Sequence, residues 1–279
     1  MLAAAIIVFR ETLEAALIIT IVLAATRGLA GSRRWIGLGL AAGLVGAGVV
    51  AMLADVISQS VQGMGQELFN ALVLFAAVIM LGWHNVWMQQ HGKEMAGQLR
   101  SASAQVQSGE RPMLALAIVV GIALLREGSE TVLFLFGLAT SAKGGWGEML
   151  GGGAVGIAAG VAVGLALYFG LLSIPQRHLF KVTSIMILLL AAGLAAQGVN
   201  FLAQADIVSP LGGSVWDSSS LLDEGSVVGR VLHTLIGYTA QPTPLQLIAY
   251  ALTVLVIGGL MWMVRPQAGH HPKAAPAAE

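Results

Sequence analysis

Ile6-Ile7-Val8-Phe9-Arg10-Glu11-Thr12-Leu13-Glu14 sets three charged side chains in the middle of an apolar run over residues 2–25. The pattern returns as Ile122-Ala123-Leu124-Leu125-Arg126-Glu127-Gly128-Ser129-Glu130, inside a second run over 113–138. Each run is long enough to cross a bilayer, whose hydrocarbon core takes about 20 helical residues. A charge at the bilayer centre costs about 2.5–3.5 kcal/mol on insertion scales, so six unpaired ones cost roughly 15–20 kcal/mol. Ionisable residues at that depth mark a functional site by default, and here the arrangement occurs twice.

Composition agrees with a membrane setting. Of 279 residues, 57% are hydrophobic and 10% charged, against about 25% charged in soluble domains. Cysteine is absent, which excludes disulfides and thiolate metal sites. Formal net charge is zero and no basic run occurs, so nucleic acid is not expected as a partner. The first 25 residues do not read as a signal peptide, because no basic residue precedes the apolar run and Arg10, Glu11 and Glu14 interrupt it. A retained first span is expected instead.

Apolar windows of about 20 residues fall near 2–25, 36–57, 67–88, 113–138, 149–172, 181–203 and 245–264. They predict an all-α integral membrane protein with seven transmembrane helices. All eight prolines lie at or beyond the proposed helix ends, where a missing N–H matters least. Ten Lys and Arg residues, among them Arg27, Arg33, Arg34, Lys93, Arg100 and Arg111, fall on one side of this arrangement; only Lys143 and Arg230 fall on the other. The positive-inside rule then puts the N-terminus outside and the C-terminus in the cytoplasm. In a bacterium the membrane would be the inner one, crossed several times.

The two motifs belong to a longer likeness. Spans 2 and 5 are both glycine-rich, with Gly37, Gly39, Gly43, Gly46 and Gly48 against Gly152, Gly156, Gly160 and Gly164. Spans 3 and 6 both run from Phe to Gly, Phe69 to Gly82 and Phe180 to Gly193. Three helices separate the copies, so they enter the membrane from opposite sides, as in the inverted repeats of secondary transporters. The expected organisation is one permease domain over 1–264. It comprises repeat 1 at about 1–88, repeat 2 at about 112–203, an outer loop at 204–243 and a seventh helix at 245–264. Residues 265–279 form a cytoplasmic polar tail. The four-residue glycine spacing in span 5 reads as small-residue packing between helices.

On a helix, Glu11 and Glu14 share one face, and Arg10 stands one turn before Glu14. Glu127, Glu130 and Arg126 repeat this. Facing each other, the helices offer carboxylate oxygens, hard ligands suited to hard or borderline cations such as Mg, Mn or iron. Four glutamates against two arginines leave a formal −2, so buried ion pairs alone do not account for the charge. Buried pairs are also poor stability devices. A pure proton relay along the carboxylates is a further reading. A carboxylate di-iron enzyme pairs Glu with His as Glu-x-x-His on bundle helices, and spans 1 and 4 lack that pattern. The chain therefore reads as a transporter and not an enzyme. The readings set against it are a transporter of another divalent cation, such as Mn or Pb, an intramembrane metalloenzyme, or an assembly subunit.

Two Arg-Glu-x-x-Glu helices, seven spans and an outside N-terminus resemble the oxidase-dependent iron transporter family of high-affinity iron permeases, in its compact bacterial form. The likeness covers nearly the whole chain. It implies iron, Fe2+ or Fe3+, as the transported substrate, with no permanently bound cofactor. Glu11, Glu14, Glu127 and Glu130 would be its ligands, with Arg10 and Arg126 as supporting ion pairs. It also implies a periplasmic iron-binding or iron-oxidising partner protein. The intervening Thr12-Leu13 and Gly128-Ser129 depart from the family's frequent Gly-Leu, at positions that are not ligands in this reading.

The outer side is expected to be acidic, with Asp55, Glu67, Asp217, Asp223 and Glu224 as possible capture residues that would raise local cation concentration. Glu67 and the acids of the 6–7 loop also resemble the family pattern. Within that loop Ser226 predicts a helix N-cap, with Val227, Val228, Val231, Leu232, Leu235 and Ile236 on its apolar face. Residues 226–238 would form an interfacial helix, a possible lid. His84 and Asn85 are placed near the cytoplasmic end of span 3, where a lone histidine reads as a packing residue and not a ligand.

Overall fold

Each apolar window holds a helix among its described residues. The computed structural model describes residues 1–60, 65–141, 146–170 and 176–264. Among them are eight helices and no strand: α1 Leu2–Ala25, α2 Ser32–Ser60, α3 Gln66–Gln107, α4 Leu114–Ser141, α5 Trp146–Tyr168, α6 Gln176–Gln204, α7 Val227–Ile236 and α8 Pro244–Met263. Stretches of α2, α3, α5, α6 and α8 are long and apolar enough to cross a membrane. The motif helices α1 and α4 match them in length, at 24 and 28 residues, but each carries the three charges of its motif. Lys143 and the 265–279 tail lie outside the described residues, as does the side chain of Asp55.

Glycine decides how the helices pair. A Cβ on Gly156 would lie 2.6 Å from the carbonyl oxygen of Ala5, one on Gly160 2.7 Å from Thr12 Cβ, and one on Gly164 2.5 Å from Ala16 Cβ. Rising numbers meet rising numbers, so α5 runs parallel to α1 in backbone contact. The same holds on the other side, where Gly39, Gly43 and Gly46 of α2 meet Ala117, Gly121 and Leu125 of α4. By contrast, α3 and α6 are antiparallel, since Gly198 meets Phe75 while the Asn85 amide donates to Ser184 O at 3.0 Å. These seams seat both motif helices. Gly156→Val should therefore drive backbones apart and sharply lower the amount of folded protein in the membrane. A Cβ on Gly48 would meet nothing within 4 Å, so Gly48→Ala should be tolerated or stabilise by about 0.5–1 kcal/mol. Thermal unfolding in detergent checks both.

Burial separates inner from outer helices. The spanning stretches of α3 and α6 are 44% and 50% buried, those of α2, α5 and α8 only 22%, 22% and 17%. Leu44, Val45 and Met52 on α2 and Leu252 and Leu255 on α8 are exposed, as lipid-facing residues should be. Inside, Ile7, Leu74, Leu81, Phe134, Ile187 and Leu190 form one core.

Two parts differ from the sequence reading. Residues 89–107, expected as a polar loop after span 3, continue α3 as helix to Gln107. The extension is held by Leu99 and Val106, which pack among Ile18, Val22, Ile36, Leu116 and Val120. With Ser103 buried between them, positions 95, 99, 103 and 106 form a helical stripe that the overall polarity of this segment masks. The loop before α8, in turn, is tied down. Val215 N–H donates to Pro242 O and Ser218 N–H to Ala240 O, both at 2.9 Å. The predicted helix is present as α7, capped by Ser226 Oγ, which accepts from Gly229 N–H at 2.9 Å, and ended by Gly237 at φ 69°. Gly237 abuts Gly193, well inside α6, so the chain dips into the bundle before α8 begins. Pro244 opens α8 behind a Thr243–Gln246 capping box.

Candidate metal centre

The middle of α1 is where charge meets burial. Arg10, Glu11 and Glu14 are 1%, 2% and 3% exposed. Arg10 Nε lies 3.0 Å from Glu14 Oε1, and Nη1 lies 3.9 Å from Glu11 Oε1. On α4 the local geometry repeats: Arg126 Nε donates to Glu130 Oε1 at 3.0 Å. The i, i+4 spacing of the motif thus does the same thing twice. Its surroundings do not repeat. Arg126 and Glu130 keep 33% and 19% of their side chains exposed, and the Arg126 guanidinium stacks 3.9 Å over the Trp87 ring.

The two motifs converge, and a third helix joins them. One ligand atom each from Glu11, His84, Glu127 and Glu130 lies within 4.8 Å of all the others. His84, on α3, is 3% exposed. Its Nε2 lies 3.8 Å from Glu11 Oε2 and 3.7 Å from Glu14 Oε2, and its Nδ1 contacts Glu130 Oε2. This overturns its reading as a packing residue near the end of a span. α3 runs on far past it, and the ring sits at the depth of both motifs. A signal was present in the sequence: His84 continues the buried stripe Ala71, Leu74, Ala77 and Leu81, so its register points inward. Glu14 falls at the edge of the group, facing Arg10.

Hydrogen bonding leaves these carboxylates underused. Both oxygens of Glu11 and of Glu14, Glu127 Oε2 and Glu130 Oε2 are buried without an aligned hydrogen bond. Nearby hydroxyls do not help, because Ser129 and Thr131 donate back to Leu125 O and Glu127 O within α4. Burying an ion costs several kcal/mol even after relaxation. Four carboxylates against two guanidiniums therefore create a strong local demand for a cation. The chemistry on offer is oxygen-rich with one imidazole nitrogen.

The expected outer acids are placed elsewhere. Glu67 is exposed in the first turn of α3. The three loop acids act as structural acceptors. Asp217 Oδ2 accepts from Gln241 Nε2 at 2.8 Å, Asp223 Oδ1 accepts from Gly225 N–H at 3.0 Å, and Glu224 Oε1 accepts from Ala240 N–H. Hydrogen bonds from Ser219, side chain and backbone, and from Gln241 hold the Asp217 carboxyl below the ordinary carboxylate range. These bonds tie the loop together.

Residues 1–268 match the iron permease FTR1 family. Two relatives named as the ferrous iron permease EfeU, from Escherichia coli O6:H1 and Shigella sonnei, are 31% identical over 269 and 270 residues, covering 95% of this chain and 96% of each relative. No solved structure matches. The match runs through both motif helices and on past α8, and the chain therefore belongs to the iron permease FTR1 family.

Proposed function

We propose that this permease moves iron across the bacterial inner membrane into the cytoplasm through a midplane site between α1 and α4. Glu11, Glu14, Glu127 and Glu130 supply oxygen ligands, while Arg10 and Arg126 hold them and limit their net charge. The observation that carries this is the closure of Glu11, His84, Glu127 and Glu130 within 4.8 Å in a buried space. The relatives' names specify ferrous iron, and that is the cargo proposed here.

Seven spans with an inverted 3+3 repeat make the site possible. Exchanging helices α1–α3 with α4–α6 turns the α1–α5 seam into the α4–α2 seam and leaves the antiparallel α3–α6 pair in place. That symmetry supports the repeat, since an in-plane two-fold would bring the motifs to one depth. With the N-terminus outside, Glu67 and the 204–243 loop share the outer face. A periplasmic iron-binding or iron-oxidising partner would deliver the ion there.

Proteoliposomes test both parts. Reconstituted protein should take up radiolabelled ferrous iron saturably, and uptake no greater than in protein-free vesicles would overturn the reading. The natural absence of cysteine makes single-cysteine labelling direct. Ser219→Cys should react with an impermeant maleimide from outside intact cells, and Ser101→Cys only after lysis. The reverse pattern would overturn the orientation.

A further inference from the structure

Carboxylates alone explain why a cation binds but not why iron is chosen, since oxygen ligands suit Mg, Ca and Mn equally well. The nitrogen donor that the structure adds is His84, and its two ring nitrogens are placed differently. Nδ1 contacts Glu130 Oε2, whose other oxygen is already taken by Arg126 Nε. A ring nitrogen turned to a carboxylate is the arrangement by which metal-binding histidines are oriented. It leaves Nε2 facing α1. There, Nε2 stands 3.8 and 3.7 Å from Glu11 Oε2 and Glu14 Oε2. Those separations are long for hydrogen bonds. They suit two donors on one ion, which at about 2.1 Å each sit roughly 3–4 Å apart.

The ring is also held still. Phe134 of α4 meets it edge-on, with ring centroids 6.1 Å apart. The adjoining Asn85 pins this turn of α3 to its neighbours, donating to Ser184 O at 3.0 Å and to Met261 Sδ at 3.4 Å. A buried imidazole aimed between two carboxylates, oriented by a third and fixed by packing, has the surroundings of a ligand. We propose that His84 coordinates the transported ion through Nε2. In doing so it makes the site selective for borderline divalent d-block cations such as ferrous iron over hard ions such as Mn2+ and Mg2+. This rests on the carboxylate-site reading above and adds the donor that discriminates.

The test uses the full chain, purified and loaded with one equivalent of Fe2+. X-ray absorption at the iron edge should show imidazole scattering in the wild type and lose it in His84→Asp. In proteoliposomes, His84→Asp should keep iron uptake but become about ten-fold more sensitive to competing Mn2+, the scale on which shell groups tune metal affinity. Wild-type iron without imidazole scattering would overturn the proposal, whatever the variants do. So would His84→Arg matching the wild type in uptake and selectivity, since a charge partner would then suffice. Glu11→Gln and Glu127→Gln run alongside: full uptake in both sinks the carboxylate reading itself, a different failure from that of His84.

Discussion

Glu11→Gln and Glu127→Gln should each reduce iron uptake by about 100-fold or more, to the background of empty vesicles, while protein levels in the membrane stay normal. Glutamine keeps the size and shape of the side chain but removes a hard anionic ligand from a group that closes within 4.8 Å. Changes one shell further out already weaken metal sites about 10–100-fold, so loss of a direct ligand should exceed that. Stability supplies the discriminating control. Both Glu11 oxygens and Glu127 Oε2 lack an aligned hydrogen bond. Four glutamates outnumber two arginines here, so neutralising one of them removes excess buried negative charge and should leave the unfolding temperature unchanged or raised. If the glutamates served only to fix helix packing, the same variants would lose stability and keep transport. Full uptake in both would end the carboxylate-ligand mechanism.

Arg10→Ala should be far more damaging to folding than Arg126→Ala, although the sequence presents the two arginines as equivalents. Arg10 is 1% exposed and lies between two glutamates that are themselves buried. Removing one partner of such a pair leaves uncompensated charge and costs about 3–5 kcal/mol, a large share of a protein's typical margin of about 5–15 kcal/mol. Arg126 is one-third exposed. Its ion pair is worth about 1 kcal/mol or less, and its stacking on Trp87 adds roughly 0.5–1 kcal/mol. Membrane abundance and thermal unfolding in detergent should separate the variants clearly, with Arg10→Lys between them because it restores charge without the guanidinium fork. Equal losses for Arg10→Ala and Arg126→Ala would refute the difference in burial.

Helix positions and the motif's local geometry were legible from sequence because both depend on near neighbours. An apolar run of about 20 residues has to bond its own backbone in lipid. An i, i+4 Arg–Glu pair meets on any helix, and it does so at Arg126–Glu130. Ser226 likewise marked the start of α7 through local capping chemistry. The acids of the loop were less legible. Asp217 and Glu224 look like free charges in one dimension, and their partners Gln241 and Ala240 lie 24 and 16 residues away.

Local patterns alone therefore specify a helical, membrane-spanning chain with two copies of a charged half-site. Packing across the bundle settles what completes the site and how unequal its halves are. His84 has no partner within its own helix, and it becomes part of the centre only because packing of α3 against α1 and α4 sets its depth and register. The same packing buries Arg10 and leaves Arg126 part-open. Contacts of that kind join residues dozens of positions apart, so no local pattern encodes them one at a time.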